Sequence, residues 1–449
     1  VSLGIGCIIG AGIFVMTGQA AANYAGPAVM LSYVLAGLCC VFAALCYAEL
    51  AAMLPVSGSA YSYAYASMGE ILAWTMGWLL LLEYGIAAST VAVGWSGYVV
   101  SFLANFGIVI PVEWTTPTIT MDEATQTAIF GNGFNLPAFL GIMAMTSLLV
   151  IGVKESATVN NVIVFIKVSV VVAFIVVGMF YIDTANWHPF IPEPSADGLK
   201  YGWNGILRAA GIVFFAYVGF EAVSTAAQEA KNPQRDMPIG ILGSLAICTV
   251  LYMMVCAVLT GIVPYTMLNV PDPIAVAVDH IGVSWLTFFV KIGAIAGLTS
   301  VMMVLLYGQT RIFYTMSRDG LMPPIFSVVH PKFKTPWLNT LIVGTAVAFV
   351  ASATPISILG DLVSLGTLTA FAIICFTVMY LRKAQPDLPR PFSVPFSPYF
   401  PLLGIAFCLY LISGLLSNPV TVKFYAVYLA VGILFYFLYS ARNSKLRQG

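Results

Sequence analysis

GIGCIIGAGIF, residues 4–14, and GIVFFAYVGFEAVSTAAQEAKNPQRDMP, residues 211–238, decide how this chain is read. Both begin in apolar runs suited to crossing a bilayer, and both carry residues that interrupt a membrane helix. In the first, glycines at 4, 6, 10 and 12 weaken the helix near mid-membrane. Small residues also serve close helix packing, but Gly10-Ala11-Gly12 is denser than packing needs. In the second, Gly219 stands beside the acidic Glu221 inside an apolar run. A helix broken at membrane depth frees N–H and C=O groups, tolerated only where protein or a cavity satisfies them. Paired interruptions at corresponding places in two halves of a chain point to a transporter binding site at the midplane. A zwitterion suits such a site. Its carboxylate fits the positive N-terminal end of a half-helix, and its ammonium fits freed carbonyls.

The composition agrees. Of 449 residues, 60% are hydrophobic and 8% charged, against about 25% charged in a soluble domain. Mean hydropathy is +0.96. An ordinary soluble enzyme, a disordered chain and a nucleic-acid binder are excluded together. Lys+Arg and Asp+Glu both number 18, so no net charge argues for a charged partner. The eight cysteines lie in apolar runs and read as small buried hydrophobes, not as a disulfide framework. The three histidines, His188, His280 and His330, lie in polar connectors, which argues against intramembrane haem or zinc.

Twelve candidate spans fall near 1–24, 29–54, 70–102, 136–153, 158–182, 201–228, 238–263, 283–316, 337–353, 357–382, 398–416 and 421–441. Asp272–Ile281 reads as a helical piece of a loop. With both ends inside, the cytoplasmic connectors and tail collect most Lys and Arg, among them Lys154, Lys231, Arg235, Arg311 and Arg318. The external connectors hold only Lys200 and Lys423. The two interrupted helices are spans 1 and 6, the offset expected of two five-helix repeats. An odd number of spans per repeat inverts the second copy.

Several segments then carry a resemblance. GIGCIIGAGIFVMTG (4–18), GPA (26–28), YAELAAMLPVSGSAYSYAY (47–65), GVKESATVNN (152–161), GFEAVSTAAQEAKNPQRDMPIGI (219–241) and RIFYTMSRDGLMP (311–323) resemble the amino acid–polyamine–organocation transporters. The nearest likeness is to the cationic amino acid transporter branch and its bacterial members. It covers spans 1 to 10. The resemblance implies an all-α membrane protein of LeuT-like fold. Residues 1–182 and 201–383 would be the inverted repeats and 398–441 two peripheral helices. It implies secondary transport of L-amino acids by alternating access. Carried over, the motif implies that N–H groups of Gly10, Ala11 and Gly12 hold the substrate carboxylate. The carbonyls of Ile8, Phe215, Ala216 and Val218 would face the ammonium, with the Phe215 ring as a gate.

Charged residues inside the membrane sharpen this reading. Lys167 lies nine residues from Thr158, roughly 14 Å along a helix, too deep for easy snorkelling. In sodium-coupled relatives of the implied fold an ion bridges spans 1 and 8, and in some members a span 5 lysine takes its place. Lys167 matches that pattern. It is expected to bond span 1 carbonyls, with Thr299 and Ser300 as candidate partners. That reading calls for protons as the coupling ion, no sodium site and no cofactor. The alternative is a structural cation. Glu83, in span 3, is either a counter-charge for arginine or lysine or a helix-packing group, protonated or paired to Arg208. Glu221 is expected to brace unwound backbone, and Glu49 to be structural. Arg208 and Lys291 lie near span ends, where snorkelling reaches water. Met303, beside Met302, is a candidate pocket residue of span 8. Lys231, Arg235 and Arg318 with Glu229, Asp236 or Asp319 are either an inner gate or topology-setting charge.

The leading expectation is proton-coupled symport of L-amino acids, small and neutral such as alanine or cationic such as arginine. A proton-independent exchanger shares every binding residue. An integral membrane enzyme lacks metal-spaced ligands, and a channel fits paired broken helices poorly. The expected location is the plasma (inner) membrane, multi-pass, surrounded by lipid; an accessory membrane peptide stays open.

Overall fold

The computed structural model describes residues 1–53, 60–61, 64–65, 69–122, 127–152, 157–196, 198, 200–221, 223 and 232–445. Lys154, Glu229 and Lys231 lie outside them.

The helices follow the expected spans. Among the described residues, seven helical stretches are long and apolar enough to cross a membrane. Leu136–Ile151, Trp337–Ala353 and Tyr399–Leu415 are shorter apolar helices. They still rise about 24 Å or more at 1.5 Å per residue. Helix ends obey local chemistry. Asn135 caps Leu136–Ile151 by accepting the Ala138 N–H at 3.2 Å, and Gly152, at φ +88°, ends it. Asn418 caps Pro419–Phe435, where a proline opens the first turn. Pro273–Ile281 is the expected helical piece of the loop before Ser284–Arg318. The connector 103–135 adds an unforeseen element, an antiparallel hairpin pairing Ile119–Asp122 with Thr127–Phe130.

Both interruptions are present. Span 1 runs as Ser2–Ile8, becomes extended at Ile9, and resumes as the wide-turn helix Gly12–Met16. Span 6 runs as Gly202–Val213, tightens at Phe214–Tyr217, and unwinds at Val218 and Gly219. The two breaks pack on each other. A Cβ on Gly12 would stand 2.1 Å from the Ala216 Cα. Gly219 has φ +116°, and a Cβ there would stand 2.9 Å from the Cys7 carbonyl. Neither position accepts a side chain without moving backbone.

Around this centre, Val29–Met53 packs on Pro233–Ile262 and Ser284–Arg318 on Ala87–Ala104. The ends of spans 2 and 10 are pinned by Glu49, whose carboxylate takes Arg382 Nε at 3.0 Å and the Val394 N–H at 2.6 Å. Span 12 exposes Val427, Ile433 and Phe437 by about 60%, a face suited to lipid.

Candidate substrate site

The breaks of spans 1 and 6 line one cavity with spans 3 and 8. Span 1 contributes Gly6, Cys7, Ile8, Gly10, Ala11 and Gly12; span 6 contributes Phe215, Val218, Gly219 and Glu221. Tyr84, Ala87 and Val91 close it from span 3, and Ser300, Val301, Val304 and Leu305 from span 8. The wall is mostly aliphatic, with polar backbone where the helices break.

That backbone has two chemistries. The helix that resumes after Gly10 leaves its first N–H groups without intrahelical partners. The N–H groups of Gly10, Ala11 and Gly12 are therefore a donor cluster at a positive helix end. The carbonyls are partly engaged. Phe215 O accepts the Val218 N–H at 3.2 Å. Gly12 O accepts Thr17 Oγ1 at 3.2 Å and the Tyr33 hydroxyl at 3.3 Å.

Tyr252, unnoticed in the sequence, ties the site together. Its hydroxyl lies 2.8 Å from Ile8 O and 3.1 Å from Ala216 O, so one span 7 side chain bridges both broken helices. It donates one proton, and each carbonyl keeps a further lone pair for a ligand. Tyr33, Tyr217 and Tyr252 pack as a fully buried trio with ring centroids 5.5–6.1 Å apart. The only sequence signal was an isolated phenol in the apolar run LYMMVC.

The other expected site residues divide. Lys167 is 1% exposed, and its ammonium donates to Gly6 O of span 1 at 2.9 Å. Its aliphatic stem packs against Gly297 of span 8. Thr299 and Ser300 lie on span 8, and their hydroxyls have backbone partners. Thr299 accepts Trp95 Nε1 at 2.9 Å and donates to Ile295 O, while Ser300 donates to Gly297 O. Residues of span 8 have these back-bonds within reach one turn earlier.

Met303 is half-buried against the core and is not in the cavity wall; Val304 and Leu305 hold that face. Glu83 is fully buried in a wide turn, Leu82–Ile86, and is also absent from the wall, which takes its neighbour Tyr84. The wide turn rotates the helix face at that point. Glu221 does line the cavity, and both its oxygens accept the Gly219 N–H, at 3.1 and 2.9 Å. It braces the unwound backbone.

Two cations expected to snorkel are buried instead. Arg208 stacks over Tyr24 at 4.4 Å from the ring centroid. Lys291 donates to Asp279 at 2.8 Å and to Asn105 Oδ1 at 3.3 Å. Beside them Asp272 heads the loop helix, its carboxyl pushed up to about 6 by burial against the opposing Ser101 hydroxyl and Lys291 charge. On the inner side, Asp319 accepts the Tyr61 hydroxyl at 2.7 Å. Asp236 accepts the Asn232 N–H at 3.1 Å.

A donor cluster and spare carbonyls in an aliphatic cavity suit a zwitterion, and comparison with known proteins gives the family. A family model described as amino acid permease matches residues 1–439. The chain belongs to the amino acid permease family. It is 48% identical over 449 residues to the branched-chain amino acid permease BcaP of Bacillus subtilis (strain 168), covering 99% of this chain and 92% of that one. It is 46% identical to the methylthioribose transporter of the same strain, covering 99% and 93%. The vacuolar cationic amino acid transporter 4 of Arabidopsis thaliana is 38% identical over 86% of this permease and 63% of its own length. The permease is thus an all-α, multi-pass membrane transporter of amino acids and not an enzyme.

Proposed function

We propose that this permease imports neutral L-amino acids, small or branched and aliphatic, by proton-coupled alternating access. The observation that carries the reading is the meeting of two broken helices at one cavity with an aliphatic wall. The substrate carboxylate sits on the Gly10–Gly12 N–H groups. The ammonium sits at the free lone pairs of Ile8 O and Ala216 O, near the Glu221 charge. The side chain points at Val91, Val218, Val301 and Leu305, where burying each CH₂ is worth about 0.8 kcal/mol.

Residues 1–182 and 201–383 act as the two inverted repeats that rock about this site, with 398–441 peripheral. Lys167 is the coupling group. Protonated, its ammonium holds the Gly6 carbonyl and the inner half of span 1; deprotonated, it releases that half-helix. The excess of Lys and Arg in alternate connectors supports both termini lying in the cytoplasm, and the plasma (inner) membrane is the location this reading takes.

Radiolabelled uptake into proteoliposomes tests this, comparing L-alanine, L-valine, L-arginine and methylthioribose with and without an inward proton gradient. Accumulation of alanine and valine that a protonophore collapses is the expected result. Uptake that requires internal amino acid and ignores the gradient would make it an exchanger and remove the coupling role from Lys167. Saturable uptake of methylthioribose alone would overturn the amino acid assignment.

A further inference from the structure

The inner end of span 8 carries a basic cavity that the handling of an amino acid does not use. Ser284–Arg318 has 35 residues and is about 52 Å long at 1.5 Å per residue. A bilayer with its headgroups is about 40–45 Å thick, so the last turns of this helix pass from hydrocarbon into the headgroup layer. Tyr307, Arg311, Tyr314 and Arg318 recur there at helical spacing, along one face. Arg311 lies over the Tyr307 ring at 4.8 Å from its centroid, and Arg318 over the Tyr314 ring at 6.0 Å. Tyrosines with arginines reaching outward beside them mark a helix crossing a membrane surface. At this level Tyr314, Thr315, Arg318, Asp319 and Lys445 line a cavity of about 360 Å³.

Lys445 reaches this cavity on the segment after span 12, which is docked on the end of span 8. Ser440 Oγ donates to Leu321 O at 2.7 Å, and the Lys445 N–H donates to Asp319 O at 3.2 Å. Gly320 has φ +83°, and a Cβ there would stand 2.2 Å from the Asn443 carbonyl, so the segment closes on this turn only because residue 320 has no side chain. Among the described residues no ion pair holds the Arg318 guanidinium or the Lys445 ammonium. Asp319 is the carboxylate in the wall. It accepts the Tyr61 hydroxyl, and burial holds its carboxyl above the usual value even beside the two cations. Two cations against one carboxylate leave the cavity positive at headgroup depth. A phosphate answers that charge, since a guanidinium fork matches two of its oxygens and the Tyr314 hydroxyl adds a neutral donor. We propose that Arg318 and Lys445, with Tyr314, bind the phosphate of an anionic glycerophospholipid, so that one headgroup joins the segment after span 12 to the end of span 8. A lipid suits the site better than a soluble ester because the cavity continues into the interfacial face of Tyr307, which is 38% exposed.

The site rests on the depth and charge of this helix end, not on the substrate or the coupling ion, so its test reads binding alone. Native mass spectrometry of the full chain in detergent uses phosphatidylglycerol, phosphatidylcholine and soluble glycerol 3-phosphate as probes. The parent is expected to hold phosphatidylglycerol about tenfold more tightly than phosphatidylcholine, a difference of about 1.4 kcal/mol. Arg318→Gln and Lys445→Gln should each weaken phosphatidylglycerol about fivefold, equivalent to about 1 kcal/mol for one interfacial charge. Lys445→Arg should retain the parent affinity. Lys423→Gln, which removes an exposed cation at the opposite end of span 12, should also leave it unchanged. Equal affinity in the parent and in the double variant Arg318→Gln, Lys445→Gln overturns the site. Equal binding of phosphatidylcholine overturns the role of charge. Displacement of phosphatidylglycerol by an equal concentration of glycerol 3-phosphate overturns the lipid as occupant and puts a soluble phosphate ester in its place. If Arg318→Gln does not fold, the pair Lys445→Gln and Lys445→Arg decides, since Lys445 is exposed and its exchange empties no core.

Discussion

Lys167 and Lys291 are both buried in membrane helices, at 1% and 0% exposure, yet their surroundings give them different work. Lys291 lies near the outer end of span 8 and is tied to Asp279, a loop carboxylate whose side chain is 46% exposed. Its charge is answered by a fixed opposite charge, so it staples the loop helix Pro273–Ile281 onto spans 3 and 8. Lys167 bonds the Gly6 carbonyl of a helix that is already broken three residues later. There a backbone carbonyl of the broken helix accepts from its ammonium. On the proposed scheme the same residue type is a rivet in one place and a switch in the other, because of what holds the far end of the bond.

Five substitutions test this contrast. Lys167→Ala is expected to abolish gradient-driven accumulation while leaving counterflow within about tenfold of the parent, a difference of about 1.4 kcal/mol. Lys291→Ala should instead lower the melting temperature and leave the ratio of driven to exchange transport unchanged. Equal loss of both activities in Lys167→Ala would make the two lysines alike. Next in size is Gly219→Ala. Its positive φ and the 2.9 Å approach to Cys7 force the breaks apart, and a loss of about 2 kcal/mol or more in stability or substrate affinity is expected. Retained binding in calorimetry would show that the breaks tolerate separation.

Tyr252→Phe removes the hydroxyl bridging Ile8 O and Ala216 O. It should raise the KM for alanine about tenfold, the cost of one buried hydrogen bond, with the fold intact by circular dichroism. Smallest is Asp272→Asn at the outer staple. The Asp272 carboxyl rises to about 6 on folding, so the folded state holds its proton more tightly than the unfolded one. That contribution to stability is present below the ordinary carboxylate range and is lost as pH rises through about 6. The Asn variant should therefore melt about 2 °C above wild type at alkaline pH, with the gap closing in acid. A gap of constant size across pH would assign the effect to packing.

Much of the fold was legible because hydropathy is a local property. Helices such as Trp337–Ala353 and Leu136–Ile151 began where the apolar run began. The breaks were legible too, since glycines at membrane depth and an acid beside one of them have few other uses. The direction of a side chain was not. Glu83 was placed on the right span, but the wide turn at Leu82–Ile86 turns it out of the cavity and puts Tyr84 in the wall. Met303 lost its place to Val304 and Leu305 through the same kind of rotation, one residue being about 100° of helix. Thr299 and Ser300 lie on span 8, and their hydroxyls bond their own backbone and Trp95, contacts the sequence did not disclose.

By itself, then, the sequence determined that this chain lives in a bilayer, where its helices are broken, and which family it resembles. Composition, depth of charge and motif are properties of short windows, and short windows survive without a fold. Only the tertiary structure decided that Tyr252 spans both breaks, that Lys291 meets Asp279, and that Lys167 reaches the Gly6 carbonyl. Each of those is a contact between helices, and it depends on the rotation of each about its own axis. Packing against the neighbours fixes that rotation, and no single span encodes it.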